Sequence, residues 1–153
     1  MTNIILDTNI YDRLEHKADL REVIADLIDR KRIVVLVSPT IRDELTDSHF
    51  GGVPEWFPIQ EIPESVFIIG YTRWGEGRLG DGSMYQAHKG VSKKIKDAAI
   101  ADTATIDADV LVSEDRRLRS RFARFTKSGK PMTFAQFESW IGLLEEALRD
   151  QEE

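Results

Sequence analysis

Four carboxylates stand at positions from which they could act on one bound ion. Asp7 and Asp115 each come at the end of a short apolar run, in NIILDTN and VLVSED. Glu44 follows the apolar run IVVLV, and Asp97 opens the stretch DAAIADTA. Carboxylates that converge repel one another, and a divalent cation offsets that repulsion. Because these side chains offer only oxygen ligands, the expected cation is Mg²⁺ or Mn²⁺ rather than Zn²⁺.

Each acid also has an ordinary structural explanation. Asp7 and Asp97 are of the residue type that caps helix N-termini. Asp115 would stand in the first turn of a helix, where an acid favours the helix dipole. Glu44 could belong to a solvated helix face, although its spacing from the apolar residues around it turns it inward. The metal-site hypothesis therefore depends on whether the fold brings the four together.

Three further acids stand beside this set. Asp43 precedes Glu44 and Glu114 precedes Asp115. The sequence therefore leaves the second and fourth candidate acids uncertain by one residue. Asp102 follows Asp97 by five residues, which turns it roughly 140° around a helix of 3.6 residues per turn. Asp97 lies on the apolar stripe of its helix, so we expect it to face the sheet and Asp102 to be solvated.

The acids need elements that bring them together, and the chain alternates short apolar runs with amphipathic stretches. Strands are predicted at residues 3–6, 33–37, 65–70 and 109–112, with a short one near Met132. Helices are predicted at residues 8–15, 18–31, 39–45, within 96–108, 114–124 and 134–149, and loops at 48–63 and 71–90. Ser38 is the predicted N-cap of the third helix, with Pro39 in its first turn.

This alternation predicts an α/β fold for residues 1–153 as one domain. The architecture expected is three-layer α/β/α, with a central parallel sheet of four to five strands covered on both faces. In such a sheet, ligands bind beyond the carboxyl ends of the strands. The acids follow the strands, so this edge is the predicted site.

The composition agrees with a single compact domain. The chain has 153 residues, 41% of them hydrophobic, and no Cys, which excludes disulfides and thiolate metal sites. The N-terminus lacks a basic leader, and the longest apolar run, residues 33–37, is far shorter than the roughly 18 residues of a membrane span. We therefore expect a cytoplasmic protein with no membrane partner. A net charge of −6 disfavours indiscriminate adhesion to nucleic acid but leaves local basic patches open.

Two other motifs do not predict a site. His16, His49 and His88 show no paired metal-ligand spacing, and we interpret them as surface or loop residues. The stretch TDSH around His49 has no nucleophile elbow to accompany it. A literal GxGxxG at residues 75–80 is not followed by the apolar-periodic helix that a dinucleotide-binding loop requires.

The ordered set DTN, SPTIRDEL, DAAIADTA and VSEDRRL resembles the PIN domain family of metal-dependent ribonucleases, particularly its small prokaryotic, toxin-like branch. The resemblance covers nearly the whole chain. It implies a catalytic set of Asp7, Glu44, Asp97 and Asp115, in which Asp7, Asp97 and Asp115 hold Mg²⁺ or Mn²⁺. Glu44 would be a further ligand or would position the attacking water. Asn9 and Ser113 would be polar residues that support the ligands.

The resemblance also implies a function and partners. RNA would be cut endonucleolytically to leave 5′-phosphate and 3′-hydroxyl ends, and the protein would be a homodimer and the toxin of a toxin–antitoxin module, with an antitoxin protein as partner. Basic and aromatic residues beside the acids could hold phosphates and stack bases, or form an ordinary solvated surface. The candidate RNA contacts are Arg73, Arg78, Lys93, Lys94, Arg116 and Arg117.

Other functions are compatible with an acidic strand-end cluster. The main alternative is a catalytically silent PIN-fold module that binds RNA or a protein. A phosphate-accepting receiver domain is disfavoured, because its paired acids before the first helix and its late strand-end Lys are not evident. A phosphatase with a DxD nucleophile pair is disfavoured by the spelling DTN.

Overall fold

The computed structural model describes residues 1–63, 100, 101, 103–105 and 107–153. The strand predicted at 65–70, the loop predicted at 71–90 with its glycine motif, and the acids Asp97 and Asp102 lie outside the described residues. The described residues form an α/β fold in which helices flank a parallel sheet. The predicted fold class is confirmed.

The sheet has five strands within the described residues, and all its pairings are parallel. They are β1 (Thr2–Leu6), β2 (Ile33–Val37), β3 (Gln60–Glu61), β4 (Val110–Val112) and β5 (Lys130–Met132), in the order β3-β2-β1-β4-β5. The number of strands agrees with the prediction of four to five. However, β3 lies in the stretch predicted as a loop, because two exposed residues are too few to form a periodic pattern.

Residues 4–6 of β1 and all residues of β2 and β4 are branched and apolar, and both faces of the sheet are covered. Ile4 in β1 lies opposite Val35 in β2 and Val110 in β4, and all three are buried. Burial on both faces accounts for continuous apolar runs rather than alternating ones. Each such side chain stabilises the fold by about 1.5–3 kcal/mol relative to an exposed position.

Five helices in the described ranges have defined limits. They are α1 (Thr8–Glu15), α2 (Ala18–Asp29), α3 (Pro39–Asp47), α4 (Arg116–Phe125) and α5 (Phe134–Glu152). Ser38 caps α3, its Oγ accepting from the Ile41 N–H at 3.4 Å, with Pro39 in the first turn as predicted. Thr133 and Gln136 form a capping box at the start of α5.

The end of α2 differs from the predicted limit at residue 31. Lys31 adopts a φ of 57°, which is outside the helical region. Its N–H donates to the Ile28 carbonyl, and the Arg32 N–H donates to the Leu27 carbonyl, each at 2.9 Å. These bonds form a left-handed C-terminal cap that stops the helix and turns the chain into β2.

A further helical segment precedes β4. Residues 100, 101, 103–105 and 107 are helical, and Ile100, Ala101, Thr103 and Ala104 are buried. The apolar stripe predicted through residues 100, 101 and 104 therefore packs into the core, in one hydrophobic cluster with the sheet residues. No helix in the described part of the chain has the length and apolar character to cross a membrane.

The carboxyl edge of the sheet carries a buried polar residue directly after each of three adjacent strands. Asp7 follows β1, Ser38 follows β2, and Ser113 follows β4, and they are 8%, 1% and 0% exposed. Parallel strands end at the same edge, so the topology brings together residues that are far apart in the sequence. This edge is where the candidate site lies.

Candidate functional site

Asp7 is the centre of the hydrogen-bond network at the carboxyl edge. It caps α1, and its Oδ1 accepts from the Thr8 N–H at 2.8 Å. Its Oδ2 accepts from Ser113 Oγ at 2.6 Å and from Asn9 Nδ2 at 3.3 Å. A buried carboxylate needs such donors because each bond to the charged form offsets its lost hydration. Capping and a place in the site are thus compatible for this residue.

Ser113 joins Asp7 to Asp115. Its hydroxyl donates to Asp7 and accepts from the Asp115 N–H at 3.0 Å. The carboxylate of Asp115 caps α4, accepting from the Arg117 and Leu118 N–H groups at 2.8 and 3.4 Å. The backbone of Asp115 is therefore joined to the Asp7 carboxylate through one side chain, that of Ser113.

Two more side chains hold the β4–α4 turn in position. Asn9 donates to Asp7, and its Oδ1 accepts from the Glu114 N–H at 3.3 Å. Arg119 donates from Nη1 to the Ser113 carbonyl at 2.7 Å. Asn9 and Ser113, the two supporting residues that the resemblance indicated, therefore both contact the carboxylate of Asp7.

Thr8 joins Glu44 to the same network. The Thr8 hydroxyl donates to Glu44 Oε2 in a short hydrogen bond between α1 and α3. Sequence reasoning did not single out Thr8. Its only sequence signal is its position directly after Asp7 in DTN, because the partner is 36 residues away.

The acids that were uncertain by one position make different side-chain contacts. Glu114 accepts from the Phe134 N–H at 2.7 Å and lies 3.6 Å from Arg13, so it serves the start of α5. Asp43 accepts from Arg42 Nη2 at 3.2 Å. Through their backbone N–H groups, Asp115 contacts Ser113 and Glu114 contacts Asn9, and both of these side chains donate to Asp7. Glu44 differs, because its carboxylate itself accepts from Thr8.

Asp7, Glu44 and Asp115 do not form a tight ligand cluster by themselves. Among the described residues, the one group of three His or acid ligands with all atoms within 4.8 Å is Asp12, Glu15 and His49. Asp97, the fourth predicted acid, lies outside the described residues. The carboxyl edge provides oxygen atoms that could serve as metal ligands, and Mg²⁺ and Mn²⁺ prefer oxygen ligands.

The group at His49 was not visible in the sequence spacing. His49 Nε2 lies 2.6 Å from Glu15 Oε2, and Nδ1 lies 3.8 Å from Asp12 Oδ1. The hydrogen bond that His49 donates to the Glu15 carboxylate raises the pKa of His49 above its ordinary value. Both imidazole nitrogens face carboxylates on an exposed surface, so an ion pair between α1 and the loop after α3 accounts for the contact.

Basic residues lie beside Asp115. Arg116 and Arg117 are exposed at the start of α4 and, with Ser120, Arg121 and Arg124, line an open groove of about 320 Å³. The other candidate RNA contacts, Arg73, Arg78, Lys93 and Lys94, lie outside the described residues.

Comparisons of this chain with protein-family models, curated proteins and solved structures find no match. The family resemblance therefore stays a prediction made from motifs. What stands independently of it is the α/β fold and the network around Asp7.

Proposed function

We propose that this protein is a metal-dependent endoribonuclease with a PIN-like fold. The observation that carries the proposal is the buried carboxylate of Asp7 at the carboxyl edge, joined through Thr8 to Glu44 and through Ser113 to Asp115. In parallel α/β sheets this edge is where ligands bind. The carboxylate of Glu44 belongs to this network directly, whereas Asp115 joins it through its backbone N–H. Burying the Asp7 carboxylate costs free energy that its hydrogen bonds must offset.

The proposed role of each acid follows from the chemistry of its carboxylate oxygens. Asp7 and Asp115, together with Asp97, would hold Mg²⁺ or Mn²⁺, since carboxylate oxygens are suitable ligands for these ions. When bound, such a cation polarises a phosphoryl oxygen and lowers the pKa of a bound water. Glu44, positioned by the Thr8 hydroxyl, would orient the attacking water and accept its proton. The products would carry 5′-phosphate and 3′-hydroxyl ends.

The RNA would approach from the side of α4. Arg116 and Arg117 follow Asp115 directly and are exposed, so they would meet phosphates next to the acids. Cations beside an acidic centre are needed because a polyanion is otherwise repelled by it.

The test compares matched Asp→Asn variants on a labelled RNA with Mg²⁺ or Mn²⁺. Asp7→Asn should lower the cleavage rate by at least about a hundredfold with the fold preserved, whereas Asp29→Asn, an exposed acid at the end of α2, should not. Asp97→Asn should abolish cleavage and Asp102→Asn should leave most of it. Undiminished cleavage by Asp7→Asn, free of contaminating nuclease, would overturn the proposal.

One observation favours a second candidate, a catalytically silent PIN-fold module that binds RNA or a protein. Both carboxylate oxygens of Asp7 accept hydrogen bonds from protein donors, and no tight group of three ligands in the described ranges includes Asp7. This module would bind RNA without metal-dependent cleavage. Millimolar Mg²⁺ or Mn²⁺ would then leave the melting temperature unchanged, whereas a nuclease site should raise it.

The wider role follows from the resemblance alone. The protein would act in the cytoplasm as a homodimer and as the toxin of a toxin–antitoxin module. A small neighbouring reading frame with a DNA-binding N-terminus, whose product forms a complex with this chain, would support that role. Absence of such a frame would favour a stand-alone nuclease.

A further inference from the structure

The side of α4 that lines the open groove is unusually rich in arginine. Arg116, Arg117, Arg121 and Arg124 share this surface with Ser120, and we call it the arginine face. From residue 116 to residue 124 the helix rises about 12 Å. The arginine face begins next to Asp115 and therefore extends the candidate site along the surface.

The positive charges of the arginine face destabilise α4. Arg116 and Arg117 place cations at the helix N-terminus, where the dipole disfavours them. Arg117, Arg121 and Arg124 follow one another at spacings of four and three residues, so they lie on one side of the helix. Among the described residues, Arg116, Arg117 and Arg124 form no ion pair with a carboxylate. A bound polyanion would neutralise the charges of Arg116, Arg117 and Arg124.

An aromatic residue, Phe125, directly follows the arginine face and packs partly against the hydrophobic core. The guanidinium of Arg124 lies 5.3 Å from the centre of the Phe125 ring, and Phe125 is only partly buried. Paired cationic and aromatic groups bind single-stranded nucleic acid by holding phosphates and stacking bases. An acidic peptide could also bind the cations, so polyglutamate serves as a competitor in the test below.

We propose that the arginine face binds the phosphate backbone of single-stranded RNA, with Arg121 and Arg124 holding phosphates that lie beyond the cleaved bond. This deepens the proposed function and rests on it for the identity of the substrate. It adds residues that lie a full helical turn or more from Asp115. The strand would run along α4, away from the acids.

The test measures binding rather than cleavage, so that it does not depend on catalysis. The protein carries Asp7→Asn, divalent ions are left out, and the ligand is a single-stranded RNA of about 16 nucleotides, the upper footprint of a small single-strand-binding domain. The variant is Arg121→Gln with Arg124→Gln. Its control is Arg30→Gln with Arg149→Gln, which removes the same charge outside the arginine face. Arg121→Lys with Arg124→Lys retains the charge.

The expected result is a fall of roughly tenfold in RNA affinity at low salt for the double Gln variant. The slope of log affinity against log salt should become shallower by about 1.4, the value for two phosphate contacts on a single strand. The control should bind like the parent protein, and the Lys variant should keep most of the slope. An RNA analogue with an uncharged methylphosphonate backbone should not bind.

Three results would overturn the inference. These are an unchanged salt slope in the double Gln variant, an equal loss in the control, and polyglutamate that competes as well as RNA. The third would mark the arginine face as a docking surface for an acidic protein. Cleavage is scored separately on the protein with Asp7 intact, so RNA binding without cleavage would end the nuclease proposal and leave this inference standing.

Discussion

Replacement of Ser113 by Ala should weaken both the fold and the link between the acids. The Ser113 hydroxyl is fully buried, donates to Asp7 Oδ2 at 2.6 Å and accepts from the Asp115 N–H at 3.0 Å. Loss of the bond to the carboxylate costs about 1.5–3 kcal/mol, and loss of the neutral bond about 0.5–1.5 kcal/mol. We expect the free energy of unfolding to fall by about 2–4 kcal/mol.

Thermal unfolding at neutral pH without divalent ions measures this effect. For a chain of this size, about 1 kcal/mol corresponds to 2–4 °C, so the melting temperature should fall by about 4–16 °C. Ser139→Ala is the matched control, because it deletes the same atom from an exposed position on α5. Its free energy of unfolding should stay within about 0.5 kcal/mol of the parent.

A double-mutant cycle with Asp7→Asn tests the reason for the effect. An Asn side chain still accepts a hydrogen bond from Ser113 but carries no charge. The coupling between the two sites should therefore be about 1 kcal/mol, the difference between a charge-assisted and a neutral hydrogen bond. Strict additivity of the two substitutions, or a Ser113→Ala protein as stable as the Ser139→Ala control, would refute the reasoning.

Two further predictions concern packing and pH. A Cβ on Gly129 would lie 2.4 Å from Phe122 Cζ, so Gly129→Ala should destabilise by about 1–3 kcal/mol, whereas Gly142→Ala, within α5 and with open space, should stabilise by about 0.5–1 kcal/mol. Chemical denaturation of both proteins decides this, and equal effects would contradict it. Glu15 raises the pKa of His49 in the folded state. The stabilisation of the fold by the His49–Glu15 ion pair is therefore fully present below about pH 6.5, and it is lost as the pH rises through the raised pKa. The stability difference between the parent and His49→Gln should therefore shrink with rising pH, and a difference that grows would contradict the ion pair.

Local patterns in the sequence were sufficient for the α/β fold class and for four of the five strands in the described residues, but not for β3. Continuous branched runs in β1, β2 and β4 indicate strands buried on both faces, and the amphipathic stretches between them indicate covering helices. Those two facts together imply a parallel sheet, and a parallel sheet places strand-end residues such as Asp7 at one edge. Helix limits were less predictable. At the end of α2 the left-handed cap position is Lys31 rather than the Gly or Asn that usually marks it.

The tertiary structure decided which acids belong to one network. Ser113 reaches Asp7 across 106 residues, and Thr8 reaches Glu44 across 36 residues. Neither bond leaves a trace in periodicity or spacing, since each depends on where two separate elements dock. The same holds for the neighbours Asp115 and Glu114, which have nearly identical local sequence contexts. The carboxylate of Asp115 caps α4 and that of Glu114 accepts from the first N–H of α5, because adjacent side chains in a turn point in different directions.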